Sequence, residues 1–440
     1  MKRLLSLGVV SSLVVAALAL DEPPQALITA RPDTILVADT GAAGVWYCPW
    51  VESSFERDGL IALASVVPSA AAFTFLNPEP GQEADEIQEA VGGPGGTVLS
   101  LADVVALRGD VPGFVEFDDG PAAAASVVES ETSIAADLCV SSVPKVWYVV
   151  GGSTLQNETL VLRLFNPFPE IAKVTVAPTS EFGAEPLTGL EGFAVAPRSW
   201  RDVAFHEELR LREVIGVTVT ASEGTVIPVM AMTNADDDAI WTGTGLNRRW
   251  EFPAVRTAGL DPAVAIFNPN QETVTVQFDI FTPEGAFLDA RSELVPPGSP
   301  VLIPLGDVAD GSFGLRLRSD ASIAAATVAD MAGGLAASEG VASPSTRWLL
   351  PGAGAAVGGT TSLWLMNSGT EPVTVTLLPL GPDAPSADKV ALPAGAIRQV
   401  IVEGAGVYGY LADSLAPFSA AWSVQGPEGA AIAPGAPIGD

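Results

Sequence analysis

His206 is the only imidazole in 440 residues, so a Ser-His-Asp or Cys-His nucleophile would have to be built on it. It stands in Asp202-Val203-Ala204-Phe205-His206-Glu207-Glu208-Leu209. The second histidine of H-E-x-x-H is missing there, and an exposed loop or strand-end position is expected. Ser142-Val143-Pro144-Lys145 and Ser386-Ala387-Asp388-Lys389 both match S-x-x-K. Neither has the companion motifs of penicillin-binding enzymes, and Pro144 spoils the helix on which such a serine must sit. Cys48 and Cys139 are the only thiols; with one histidine they cannot complete a four-ligand zinc set, whereas in an oxidising compartment they can form one disulfide. No catalytic residue, cofactor-binding residue or metal ligand is assigned, and no cofactor is expected.

Carboxylates are abundant, so counting alone does not dismiss a paired-acid glycosidase. The run Asn234-Ala235-Asp236-Asp237-Asp238 offers hard oxygen ligands for calcium, but it lacks the spacing and glycine of a known calcium loop and reads as a solvated turn between strands. The run from Glu79 to Glu89 reads the same way. Of nine tryptophans, Trp46, Trp147, Trp250 and Trp348 recur at one position of a repeat and are expected in cores. An aromatic sugar-binding surface would use Trp50, Trp200, Trp241, Trp364 or Trp422.

The elements that must position these side chains follow from the repeat. Val45-Trp46-Tyr47-Cys48-Pro49, Val146-Trp147-Tyr148-Val149, Arg249-Trp250-Glu251-Phe252-Pro253 and Arg347-Trp348-Leu349-Leu350-Pro351 open four segments of about 100 residues. A second marker follows in Phe75-Leu76-Asn77-Pro78, Leu164-Phe165-Asn166-Pro167, Ile266-Phe267-Asn268-Pro269 and Leu365-Met366-Asn367-Ser368. Asn166, Asn268 and Asn367 lie 19, 18 and 19 residues after their tryptophans, and Asn77 lies 31 after Trp46. An insertion of a dozen residues around Glu52 to Leu63 is therefore expected in the first copy. The strand beyond is shared by Lys173-Val174-Thr175-Val176, Thr273-Val274-Thr275-Val276 and Pro372-Val373-Thr374-Val375, and the first copy has Glu83-Ala84-Asp85-Glu86 there.

In the third copy Val274, Val276, Phe278 and Ile280 alternate with Thr273, Thr275, Gln277 and Asp279, one apolar face and one wet. Turn residues separate about seven such strands per copy. The expected fold is all-β, four tandem immunoglobulin-like antiparallel β-sandwich units. The boundaries are 21–144 with insertions and the disulfide, 145–247, 248–345 and 346–425. Short helices are expected in the first unit, for instance around Glu83 to Ala90. The units join without flexible spacers, which predicts a semi-rigid array, and the Pro/Gly/Ala-rich stretch 426–440 is expected to be a flexible tail.

Met1-Lys2-Arg3, the apolar run Leu4 to Leu20 and Ala17-Leu18-Ala19 read as an export signal or an uncleaved anchor over residues 1–20. The formal net charge of −31 becomes −33 without Lys2 and Arg3. Such a surface repels phosphate backbones and anionic lipid, so nucleic acid is not an expected partner, and a membrane only through residues 1–20.

The signal, the Trp-Tyr-Cys-Pro start and the repeated L-x-Asn-Pro followed by V-T-V resemble an actinobacterial family of secreted proteins catalogued as a domain of unknown function. The likeness spans most of residues 40–425. It implies a cell-envelope location and supplies no catalytic residue. The expected function is an exported, non-catalytic scaffold or interaction protein whose partner is an envelope protein or polymer. A carbohydrate-binding module or glycan-active enzyme is the alternative; a flat patch of exposed tryptophan would favour the module, and two converging buried carboxylates in a deep cleft the enzyme.

Overall fold

Alternation decides which side chains meet. In the strand Val274–Phe281, Val274, Val276, Phe278 and Ile280 are buried while Thr275 and Gln277 are half-exposed. Asp279 departs from the expected wet face. It is fully buried, with Arg316 and Arg318 both donating to its Oδ2 at 2.7 Å. A cation on the neighbouring strand can thus draw an acid inside where periodicity alone would place it in water.

The structure, a computed structural model, describes residues 44–54, 57–76, 85–91, 93–104, 109–234, 237–255, 261–309, 311–331, 334–356, 359–402, 406–426 and 429–438. The expected signal over 1–20 and the marker Asn77 lie outside them. The fold is all-β, with antiparallel sheets arranged as four two-sheet units. In the second unit, Val146–Val150, Ile215–Glu223, Ala172–Ser180 and Phe193–Val195 make one sheet; Ser199–Ala204, Thr159–Asn166, Ile227–Thr233 and Asp238–Thr242 make the other. The first unit repeats this order. In the third and fourth, single long strands, Gly314–Met331 and Gly409–Gly426, pair in both sheets and join them.

The first unit corrects the repeat alignment. Arg57–Ser65 occupies the place of Thr159–Asn166, and Ser69–Phe75 that of Ala172–Ser180. Ser65, 19 residues after Trp46, therefore stands where the other units have asparagine, and the expected insertion is absent. Asn77 comes one strand later and is not the equivalent residue. The stretch expected to hold a helix contains the strand Asp85–Val91, paired along Ser69–Phe75.

In each unit the strand that pairs back along its immediate predecessor near the end of the unit is labelled here: β1 (Ile134–Leu138), β2 (Asp238–Thr242), β3 (Gly334–Glu339) and β4 (Gly429–Pro434). β4 lies within the stretch expected as a flexible tail. It is buried along its whole length and pairs with Gly409–Gly426, while Ala436–Pro437 pairs with Ser345–Pro351. Tail composition misleads because small residues are also what a crowded interior requires. β1 packs on β2, β2 on β3, β3 on β4 and β4 on β1. The units thus close a cycle rather than extending as the expected array.

Candidate functional site

The place where β1 to β4 converge is the most unusual chemistry in the fold. Ala135, Ala136, Ala239, Ala336, Ala337, Ala430, Ala431 and Ala433 are all buried there, and their small side chains let four strands approach one axis. Polar groups sit at both ends of that axis.

At one end stands Asp237, 2% exposed. Its Oδ1 accepts the amides of Ile134 at 3.1 Å and Asp238 at 2.8 Å; its Oδ2 accepts those of Leu335 at 2.7 Å and Ala430 at 2.9 Å. One carboxylate therefore takes a backbone N–H from each of the four units. The preceding turn orients it, since Asn234 Oδ1 accepts the Asp237 amide at 2.8 Å. Burial pushes the Asp237 carboxyl up to about 6, against the four amides, which pull it down. Gly429 completes the fit: its φ is +143°, and a Cβ there would lie 2.5 Å from Asp237 Oδ1. Asp238 turns outward to Arg57 of the first unit at 2.6 Å. The run read as a solvated turn is thus, at Asp237 and Asp238, a buried fastening.

At the other end, three side chains from three units meet. Thr242 of β2 donates its hydroxyl to Asp137 Oδ2 of β1 at 2.6 Å, and the Leu138 amide donates to Asp137 Oδ1 at 2.8 Å. Asp137 also shares a hydrogen bond with Glu339 of β3. Two carboxyl groups can do so only when one carries a proton. Asp137 has the donors and Glu339 has Oε2 buried without a partner, so Glu339 is the protonated member. Burial drives both groups upward, and the charge on Asp137 drives Glu339 further. A small cavity lined by Glu251, Thr327, Ser338 and Glu339 itself lies on the Glu339 side of the pair.

The seams between units carry further fastenings. Arg163, 1% exposed, reaches Asp202 of its own unit at 2.9 and 2.8 Å and Asp110 of the first unit at 3.0 Å. Its guanidinium lies 4.0 Å from the Trp50 ring and 5.5 Å from that of Trp200. The fully buried Glu251 binds Arg249 of its own strand and Ser419 of the fourth unit, and Arg249 also reaches Ser368 there at 2.8 Å. The fourth unit meets the first through Ala64, Ala123, Leu349, Leu380, Leu411 and Ala436, an apolar seam.

The residues singled out from sequence fall as follows. Trp147, Trp250 and Trp348 are buried; Trp46 is half-buried. The indoles of Trp250 and Trp348 donate to Ile323 and Phe418 carbonyls at 2.9 and 2.8 Å, while that of Trp147 is unpaired. Asn166, Asn268 and Asn367 are buried and do the same work: each Nδ2 donates to the carbonyl four residues on, at 2.8 Å, and each Oδ1 accepts the amide two residues on. Cys48 and Cys139 form a disulfide with Cα atoms 4.6 Å apart. Trp241, Trp364 and Trp422 are buried, and Trp50 and Trp200 are half-buried around Arg163, so none of these five offers an open indole face. His206 lies on the short helix Phe205–Glu208 with Nδ1 3.1 Å from the Leu160 carbonyl oxygen. Among the described residues, no three His, Cys, Asp or Glu side chains gather as a metal site.

Asp137, Glu339 and Arg163 were missed by sequence reasoning, and Asp237 was read only as part of a solvated turn. The signal that could have found them is an acid or arginine inside an otherwise apolar strand, as in Ile134-Ala135-Ala136-Asp137-Leu138. Fold and fastenings together define a four-unit all-β protein whose units are locked about a common axis. The chain belongs to a family of unknown function (DUF5719), matched over residues 105–334. No curated protein matches it in sequence. A tetra-tandem repeat from the extending region of a large adhesion protein is 12% identical over 89% of this chain and 97% of that one, with a TM-score of 0.12.

Proposed function

We propose that this protein is an exported, non-catalytic scaffold of the cell envelope, a rigid acidic body that presents outward-facing loops and sheet faces to an envelope protein or polymer. The observation that carries this reading is the use made of buried charge. Asp237, Asp137, Glu339, Glu251 and Arg163 each fasten one unit to another, so charged groups that could serve a cleft are spent on rigidity. The Cys48–Cys139 bond supports an oxidising compartment. The apolar run near the N-terminus supports export.

Two measurements test the proposal. Fractionation with thiol labelling of the native protein should find it outside the cytoplasm with both cysteines blocked; free thiols on a cytoplasmic protein would sink the compartment. Crosslinking in living cells should then recover defined envelope neighbours. Recovery of only its own copies, or of nothing, would remove the scaffold reading.

A further inference from the structure

We propose that Asp137, Glu339 and Thr242 form a proton-loaded clasp, which makes the cohesion of the four units depend on ambient pH. The geometry is specific. The three residues come from β1, β3 and β2, which belong to three units, and the two acids meet across the axis. With its proton, Glu339 donates to Asp137 and the cluster carries one charge, met by the Thr242 hydroxyl and the Leu138 amide. Without it, two carboxylates face each other where Asp137 is buried and Glu339 half-buried, and β1 and β3 are pushed apart.

Few other groups can take up that charge. β4 presents no titratable side chain. From β2, Asp238 lies at the far end of the strand, bound to Arg57. Glu251 lines the cavity beside Glu339 but is met by Arg249 and Ser419. Asp237 sits at the opposite end, held by amides. Among the described residues, no cation acts on Asp137 or Glu339 to replace the proton.

The sign follows from linkage. Burial raises both carboxyls, so above about pH 4 the folded chain keeps a proton that the unfolded chain has released. Stability from this site is full below the ordinary carboxylate range and is lost as pH rises through the raised values. The other acids also repel one another more as pH rises, so the test compares variants rather than reading wild type alone.

The experiment uses the full chain. Urea midpoints are measured from about pH 5 to about pH 9 for wild type and for Glu339→Gln, whose amide can donate to Asp137 without titrating. The wild-type midpoint is expected to fall with rising pH and the variant's to fall distinctly less. Parallel slopes would overturn the proposal. Infrared spectroscopy of the wild type decides independently if the variant fails to fold. A protonated carboxyl band present at neutral pH and lost on alkalisation, together with reduced amide protection in β1 to β4, supports the clasp; no such band at neutral pH refutes it.

Discussion

The two ends of the axis solve one problem in different ways. At the Asp237 end a single acid accepts backbone amides from four units, and every donor is a group that any residue except proline carries. Only the acceptor had to be chosen, together with glycine at 429 to leave it room. At the other end, Asp137, Thr242 and Glu339 must all be present and one must hold a proton. The first arrangement depends on backbone geometry, the second on side-chain chemistry and pH. Four similar units can thus be locked by one residue that is not itself repeated.

The sharpest way to break the comparison is Asp237→Ala. It strands four buried amides at about 1–3 kcal/mol each, and relaxation should leave a loss on the order of 5 kcal/mol in urea unfolding. A loss under about 1 kcal/mol would mean that the amides find other partners. Replacing Cys48 and Cys139 together removes a link spanning 91 residues and should cost about 4 kcal/mol on the chain-entropy account, again by urea unfolding. Because both cysteines belong to the first unit, amide exchange should rise there more than in the third.

Gly429→Ala sharpens the reading of the Asp237 end. A Cβ 2.5 Å from Oδ1, at a φ that L-residues rarely adopt, should cost about 1–3 kcal/mol. In the background of Asp237→Ala the same change should cost less, because one of its two penalties is gone, and a double-mutant cycle measures the difference. The smallest expected effect separates two equivalent tryptophans. Trp250→Phe loses a hydrogen bond that Trp147→Phe does not, so it should be the more destabilising by about 1 kcal/mol.

Much of this fold was legible in the chain itself. Alternation in Val274–Phe281, the recurring tryptophans and the asparagines at near-constant spacing gave strands, sandwiches and unit number, because burial on a sheet face is a local, period-two property. The first unit shows the limit. Asn77-Pro78 imitates the marker of the other units, and the true equivalent, Ser65, is not the asparagine that would reveal it. Likewise 426–440 has the composition of a tail and yet supplies β4.

What the sequence determined by itself, then, is the unit: its strands, its core tryptophans and the two cysteines able to pair. Only the tertiary structure decided that the units close on one another and that an acidic turn at residue 237 becomes their common anchor. The physical reason is distance along the chain. The Asp237 carboxylate meets amides 103, 98 and 193 residues away, and no local pattern encodes a partner that the backbone brings near only after every unit has folded.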